Sequence, residues 1–192
     1  MEEWKEIKQK LQKERDDCHV LSLPCLKDGD KYFSESQAIP YYIALKTKNE
    51  QLFGSNDDDK VRCMQLKGVL LDFISKKNEI YKSEDYEKVH KDNLEYLKSK
   101  FCQLNNFVGD KDFFMGYLTY IDIVFSYFYL VFSNFVKNSE SEPYLDEYEN
   151  LNRVKTNVQN LDGIKEYLES DEYKKRPFII PNYLKVPVEY FN

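Results

Sequence analysis

The sequence predicts a mostly α-helical chain: a short strand–turn–strand–helix unit, then an all-helical domain. Three observations carry this. The stretch "LPCLKDGDKYFSESQAIPYYIALK", Leu23 to Lys46, reads as two strands around Asp28-Gly29 and then a helix. From about residue 58 onward, apolar side chains recur with the 3.6-residue period of helices. Between them, "LFGSNDDDK" is punctuation: Gly54 ends one element, and Ser55 to Asp59 place caps and negative charge at the positive end of the next. The expected division is therefore 1–53 and 54–192.

Residues 3–15, "EWKEIKQKLQKER", suit a short charged helix or an irregular turn. "HVLSLPCL" has the apolar density of a strand, although Pro24 withholds an N–H and belongs at a strand end or edge. Asp28-Gly29 signals a hairpin of type I′, since Gly takes a positive φ, and "KYF" is the return strand. A helix from about Ser36 to Thr47 is expected to bury Ala38, Ile39, Tyr42 and Ile43, with Pro40 tolerable near its first turn.

The helical part reads as follows. Residues 58–81 are apolar on two faces (Val61, Met64, Leu66, Leu70, Leu71, Phe73, Ile74), and residues 84–104 on one stripe ending in Leu97, Phe101 and Leu104. "FFMGYLTYIDIVFSYFYLVF", Phe113 to Phe132, imitates a membrane span, but Asp122 at its middle costs roughly 2.5–3.5 kcal/mol there. Thr119-x-x-Asp122 resembles a capping pair that starts a buried central helix instead. Helices near 144–158 and 161–171 are divided by Asp162-Gly163, and the tail "RPFIIPNYLKVPVEYFN" is cut by prolines and should run extended.

Composition narrows the function. With Lys+Arg 28 against Asp+Glu 34 the net charge is -6, which disfavours a nucleic-acid backbone as partner. Tyr 16 and Phe 13 predict a ring-rich core. Four cysteines (Cys18, Cys25, Cys63, Cys102) without a CxxC, and only His19 and His90, speak against a zinc site and a Ser-His-Asp triad. No glycine-rich nucleotide loop is present. The charged start "MEEWKEIKQK" is unlike a targeting peptide, and reduced thiols fit a soluble cytoplasmic protein, with room for membership of a larger cytoskeletal or other assembly.

Glu35-Ser36 heads a helix and faces the Leu23-Pro24 strand end. Helix N–H groups and a Ser hydroxyl attract a carboxylate, and a neighbouring Glu accepts from an ammonium, so an α-amino acid head group suits the pair. A cis Leu23-Pro24 bond would leave the Leu23 backbone able to pair with an extended peptide. Spacing alone equally permits an ordinary Ser36 N-cap with a solvated Glu.

The sequence resembles the glutathione S-transferases. Leu23-Pro24 followed by "ESQAIPYYIA" is similar to the end of their glutathione-binding, thioredoxin-like domain, where a cis-proline precedes a Gln/Glu-Ser pair. "DDDKVRCMQLKGVLLD" resembles the first helix of their helical domain, "GYLTYIDIVFSY" the central helix, and "IKEYLESDEYKKRPF" the closing helix and tail of the mu class. The likeness covers nearly the whole chain.

The resemblance implies a truncated thioredoxin-like ββα unit ahead of a helical domain of the family's C-terminal type. It implies that Glu35 and Ser36 hold the γ-glutamyl head of glutathione and that Leu23, ahead of Pro24, pairs with its cysteinyl backbone. Trp4 and Lys8 keep the spacing of a mu-class pair at the glycyl end. Asp72 falls where the family has an acid reaching the other subunit's glutathione, which implies a homodimer. Tyr81 lies near a substrate-side tyrosine, as an accessory acid. Glutathione is the implied ligand or substrate, without a metal, a membrane or nucleic acid.

The resemblance also implies a departure. The family's first strand, first helix and second strand have no counterpart in the matching residues, and the thiol-activating residue lies there. A thiol with a pKa near 8.5 needs a positioned donor to persist as thiolate at neutral pH. No catalytic residue is therefore assigned. A lone hairpin is marginal and its edge invites pairing, so partner chains are expected to cover it. Three readings stay open: a non-catalytic structural or interaction subunit, an active homodimeric transferase, and a helical binding module without glutathione.

Overall fold

The computed structural model describes residues 2–138 and 144–175; the proline-cut tail lies outside them. The chain divides into two units, Met1–Leu52 and Phe53–Asn192.

In the first unit, α1 (Glu2–Glu14) is helical, and a 3-10 turn follows at Asp16–Cys18. Residues 19–24 are not a strand. β1 (Cys25–Asp28) begins only after Pro24, whose ring nitrogen cannot donate to a ladder. β1 pairs antiparallel with β2 (Lys31–Ser34) in the register Cys25↔Ser34 to Asp28↔Lys31, a sheet of two strands. Of the loop residues Gly29 and Asp30, Gly29 alone has a positive φ, 58°. That pattern matches a type II′ turn, not the expected type I′.

The helix α2 (Ala38–Lys46) starts later than the sequence suggests, because Glu35 is left-handed (φ 75°) and Ser36-Gln37 form a turn. It buries Ala44, while Ala38 and Ile43 are exposed and Ile39 and Tyr42 half-buried. This largely apolar helix packs on β2 of the hairpin. Stacking of Tyr42 on Phe33 (4.0 Å between centroids) joins it to β2. Asp28 adds a second tie, accepting from the Tyr42 hydroxyl at 2.6 Å and pairing with Lys46 at 3.2 Å. The Tyr42 hydrogen bond first, and then Lys46, hold the Asp28 carboxyl below its ordinary pKa.

The second unit is all-helical. Asn56 caps α3 (Asp57–Tyr81) by accepting from the Asp59 N–H at 2.9 Å, with Asp57 to Asp59 in the first turn. Leu66, Leu70 and Phe73 face inward, whereas Val61 and Met64 are exposed on the second face. The helix α4 (Tyr86–Val108) runs one turn further than expected, because Val108 continues the buried row of Phe101 and Leu104. Gly109, with φ 57°, ends it.

After Thr119 comes α5 (Tyr120–Asn138); no helix among the described residues is long and apolar enough to cross a membrane. The next helix, α6 (Glu149–Gln159), does not include residues 144–148. Those are held as an irregular segment by Tyr129, whose hydroxyl donates to the Leu145 carbonyl at 2.9 Å, and by Tyr148, which donates to the Lys98 carbonyl at 3.1 Å. The expected helix over 161–171 is instead two, α7 (Ile164–Glu169) and α8 (Asp171–Lys175). Ser170 takes an extended ψ of 151° and its Oγ accepts from the Tyr173 N–H at 3.2 Å, so it ends one helix and caps the other.

The core is ring-rich, as composition suggests. Phe101 sits among Phe73 (4.7 Å), Tyr148 (5.7 Å) and Phe132 (5.9 Å). Burying each such ring contributes about 1.5–3 kcal/mol.

Candidate functional site

The candidate site is built where β2 hands over to α2. The left-handed Glu35 turns the chain so that its carbonyl accepts from the Ala38 N–H at 3.0 Å and the Ile39 N–H at 3.1 Å, closing the first turn. The N-cap is Gln37, without a side-chain cap hydrogen bond. Ser36 is exposed and does not cap the helix. The plain alternative of the sequence reading, a Ser36 cap, is thus not what this turn does. With the Ala38 and Ile39 N–H groups taken by the Glu35 carbonyl and Pro40 having none, what the head of α2 presents to an anion is the exposed Ser36 at the positive end of the helix dipole.

A second segment lies against that turn. Ser22 Oγ donates to Glu35 Oε1 at 2.9 Å, and Ser34 Oγ donates to the Val20 carbonyl at 3.2 Å. These bonds hold residues 20–23 beside the end of β2, so that exposed Leu23 and Pro24, joined by a cis peptide bond, share one rim with Glu35 and Ser36. Ser22 carries no recognition role in the sequence reading. Its bond spans 13 positions, and no periodicity reports it.

The other candidates stand as follows. Trp4 and Lys8 lie one turn apart on α1, both half-buried. Asp72 on α3 is exposed and accepts from the Tyr96 hydroxyl at 3.1 Å. Tyr81 is 1% exposed, donates to the Val131 carbonyl at 3.3 Å, and burial pushes its phenol pKa far up. Its hydroxyl belongs to the helical core.

Among the described residues none of the four cysteines forms a disulfide, and Cys18 and Cys63 are buried. Burial, and next the neighbouring Cys18, raise the Cys25 pKa, which opposes a reactive thiolate. Among the described residues no group of three His, Cys, Asp or Glu side chains is placed to hold a metal.

A left-handed Glu ahead of an exposed Ser, at the head of a helix beside a cis-proline, makes up the candidate rim. The family model described as "Glutathione S-transferase, C-terminal domain" matches residues 72–171. Glutathione S-transferase Mu 3 of Homo sapiens is 30% identical over 177 residues, covering 91% of this chain and 72% of that protein. The chain belongs to the glutathione S-transferase family. Glutathione S-transferase 2 of Gallus gallus is 30% identical over 158 residues, 81% of this chain and 68% of that protein. Among solved structures, the glutathione S-transferase Blo t 8 superposes with a TM-score of 0.74 at 20% identity, covering 88% of this chain and 77% of that one. A second match, rat hPGDS complexed with a quinoline, gives 0.65 at 21% identity over 83% and 77%. These two support the fold: a ββα unit ahead of a helical glutathione S-transferase domain. The sequence relatives add the mu-like character.

Proposed function

We propose that this glutathione S-transferase relative grips the γ-glutamyl end of glutathione without ionising its thiol, and works as a non-catalytic structural or interaction subunit. The observation that carries the reading is Ser36, exposed at the head of α2 beside left-handed Glu35. Ser36, at the positive end of the α2 dipole, would take the ligand's α-carboxylate, Glu35 its ammonium, and the Leu23 backbone its peptide. Trp4 and Lys8 would meet the glycyl end. Tyr81 is left out, because its hydroxyl is held by Val131.

Thiol activation is a separate requirement, and three hydroxyls of the first unit are already given to other acceptors. Ser22 donates to Glu35, Ser34 to the Val20 carbonyl and Tyr42 to Asp28. A donor already given to a carboxylate does not stabilise a thiolate. The two-stranded sheet also has an edge to offer another chain.

A second reading, an active homodimeric transferase, is favoured by relatives named as transferases and by Asp72, exposed on α3 for a role across a dimer. Titration calorimetry with reduced glutathione and an assay with 1-chloro-2,4-dinitrobenzene separate the two. We expect saturable glutathione binding, weakened at least about tenfold by Ser36→Ala, a loss near 1.4 kcal/mol, with conjugation at the uncatalysed rate. Turnover above that rate, abolished by Ser36→Ala, establishes the second reading. Absence of any glutathione binding leaves the helical-module reading.

A further inference from the structure

We infer a second ligand site, wholly inside the helical unit, for an uncharged ring-bearing small molecule. α5, α6, α7 and α8 line a half-open cavity of about 410 Å³. Its aliphatic walls are Ile123 and Leu130 from α5 and Ile164 and Leu168 from α7. Three phenol rings complete it: Tyr127, Tyr167 and Tyr173. Tyr167 and Tyr173 stand edge to face at 5.3 Å, a preferred geometry for aromatic pairs, and so fix one wall. None of its lining residues belongs to the glutathione rim.

The lining chemistry selects the ligand. Among the described residues no Asp, Glu, Lys, Arg or His lines the cavity, so an ion entering it would lose hydration without a counter-charge from them. Ser126 and Gln159 supply neutral polar contacts, enough to orient a molecule carrying one or two polar atoms. Size sets the other bound. A cavity of about 150 Å³ holds one benzene ring, so this one has room for roughly two or three rings. Flat rings can lie against the Tyr167–Tyr173 wall. Ile123 (37%), Tyr127 (38%) and Tyr167 (42%) remain open to solvent, giving the ligand a way in.

The test uses the full chain and N-phenyl-1-naphthylamine, an uncharged fluorophore that brightens in apolar surroundings. Its sulfonated analogue, 8-anilinonaphthalene-1-sulfonate, has the same rings and a charge. We expect saturable binding of one naphthylamine per chain, at least about tenfold tighter than the sulfonate. Ile123→Glu, at a partly exposed position, should weaken it at least about tenfold with unchanged far-ultraviolet helicity. Met64→Ser, on the exposed face of α3, should leave it unchanged, as should excess glutathione. Lack of saturation overturns the inference. So does equal affinity for the sulfonate, loss of binding in Met64→Ser but not Ile123→Glu, or displacement by glutathione.

Discussion

Asp122 folds back on Thr119: its Oδ2 accepts the Thr119 N–H at 2.7 Å and the Thr119 hydroxyl at 2.6 Å. Oδ1 accepts the Phe114 N–H at 2.7 Å, and Thr119 and Asp122 are both 0% exposed. One carboxylate therefore starts α5 and pins the preceding loop to it.

Removing that carboxylate strands three donors without water to replace it. An unsatisfied buried donor costs about 1–3 kcal/mol, so Asp122→Ala should lose on the order of 3–5 kcal/mol. Asp122→Asn keeps one acceptor oxygen and should lose less, and Thr119→Val, which removes a single donor, less still. The midpoint of urea unfolding at constant slope reads all three. Equal losses for Asp122→Asn and Asp122→Ala would show that ionic character, not the count of hydrogen bonds, matters.

Two glycines should respond differently to the same substitution. Gly54 has φ 116°, and a Cβ there would run into the backbone of Lys60, its nitrogen and its Cα at 2.7 Å. Gly29 has φ 58° with nothing within 4 Å. Gly29→Ala should cost only the strain of its positive φ, about 1–3 kcal/mol. Gly54→Ala adds a clash that neither backbone can relieve and should cost more than about 3 kcal/mol. Thermal unfolding of the two variants checks the order.

What sequence reasoning reached was local. The Thr119–Asp122 bond spans three positions, so the spacing itself announces it. α3 and α4 were legible because one face of each meets the core at helical period. Where burial depends on distant parts of the chain, the reading failed. α2 was expected to bury Ile43, yet whether an apolar helix is covered depends on how much sheet lies beneath it. The Ser170 break inside the expected 161–171 helix turns on one ψ angle, and serine is compatible with either state. At the candidate rim, the sequence singles out the Glu35-Ser36 pair and leaves the isomer of Leu23-Pro24 open, and it gives no sign of the Ser22 bond joining the two segments. Tyr81, anticipated beside a substrate, lies in the core; an amphiphilic phenol at a helix end does not announce which side it serves.

Acid should act through His90. The ring is 0% exposed, with Nε2 at 3.3 Å from the Tyr144 hydroxyl, and burial lowers its pKa from 6.5 to about 4. In the unfolded chain the group regains its ordinary pKa and binds a proton that the folded form refuses. The stability it contributes is complete above pH 6.5 and is lost as pH falls toward about 4. Between pH 7 and pH 5 the loss should be about 2 kcal/mol. His90→Gln should flatten that slope even if it lowers stability throughout; an unchanged slope would place the acid sensitivity elsewhere.

Glu35 joins the two halves of the problem, because its backbone and its side chain favour different residues. At φ 75° a residue with a Cβ is strained by about 1–2 kcal/mol, and glycine is not. Glu35→Gly relieves that strain but gives up the Ser22 hydrogen bond, worth about 0.5–1.5 kcal/mol. The two nearly cancel, so stability should change by less than about 1 kcal/mol. Glutathione affinity should nevertheless fall at least about tenfold, since the proposed acceptor for the ligand ammonium is gone. Glu35→Gln keeps the strain and an acceptor oxygen but removes the charge, and should fall between. Such a trade, strain kept for the sake of a side chain, is expected at a binding site and not at a plain turn. If calorimetry finds Glu35→Gly binding glutathione as well as the parent chain, the carboxylate is there for Ser22 alone.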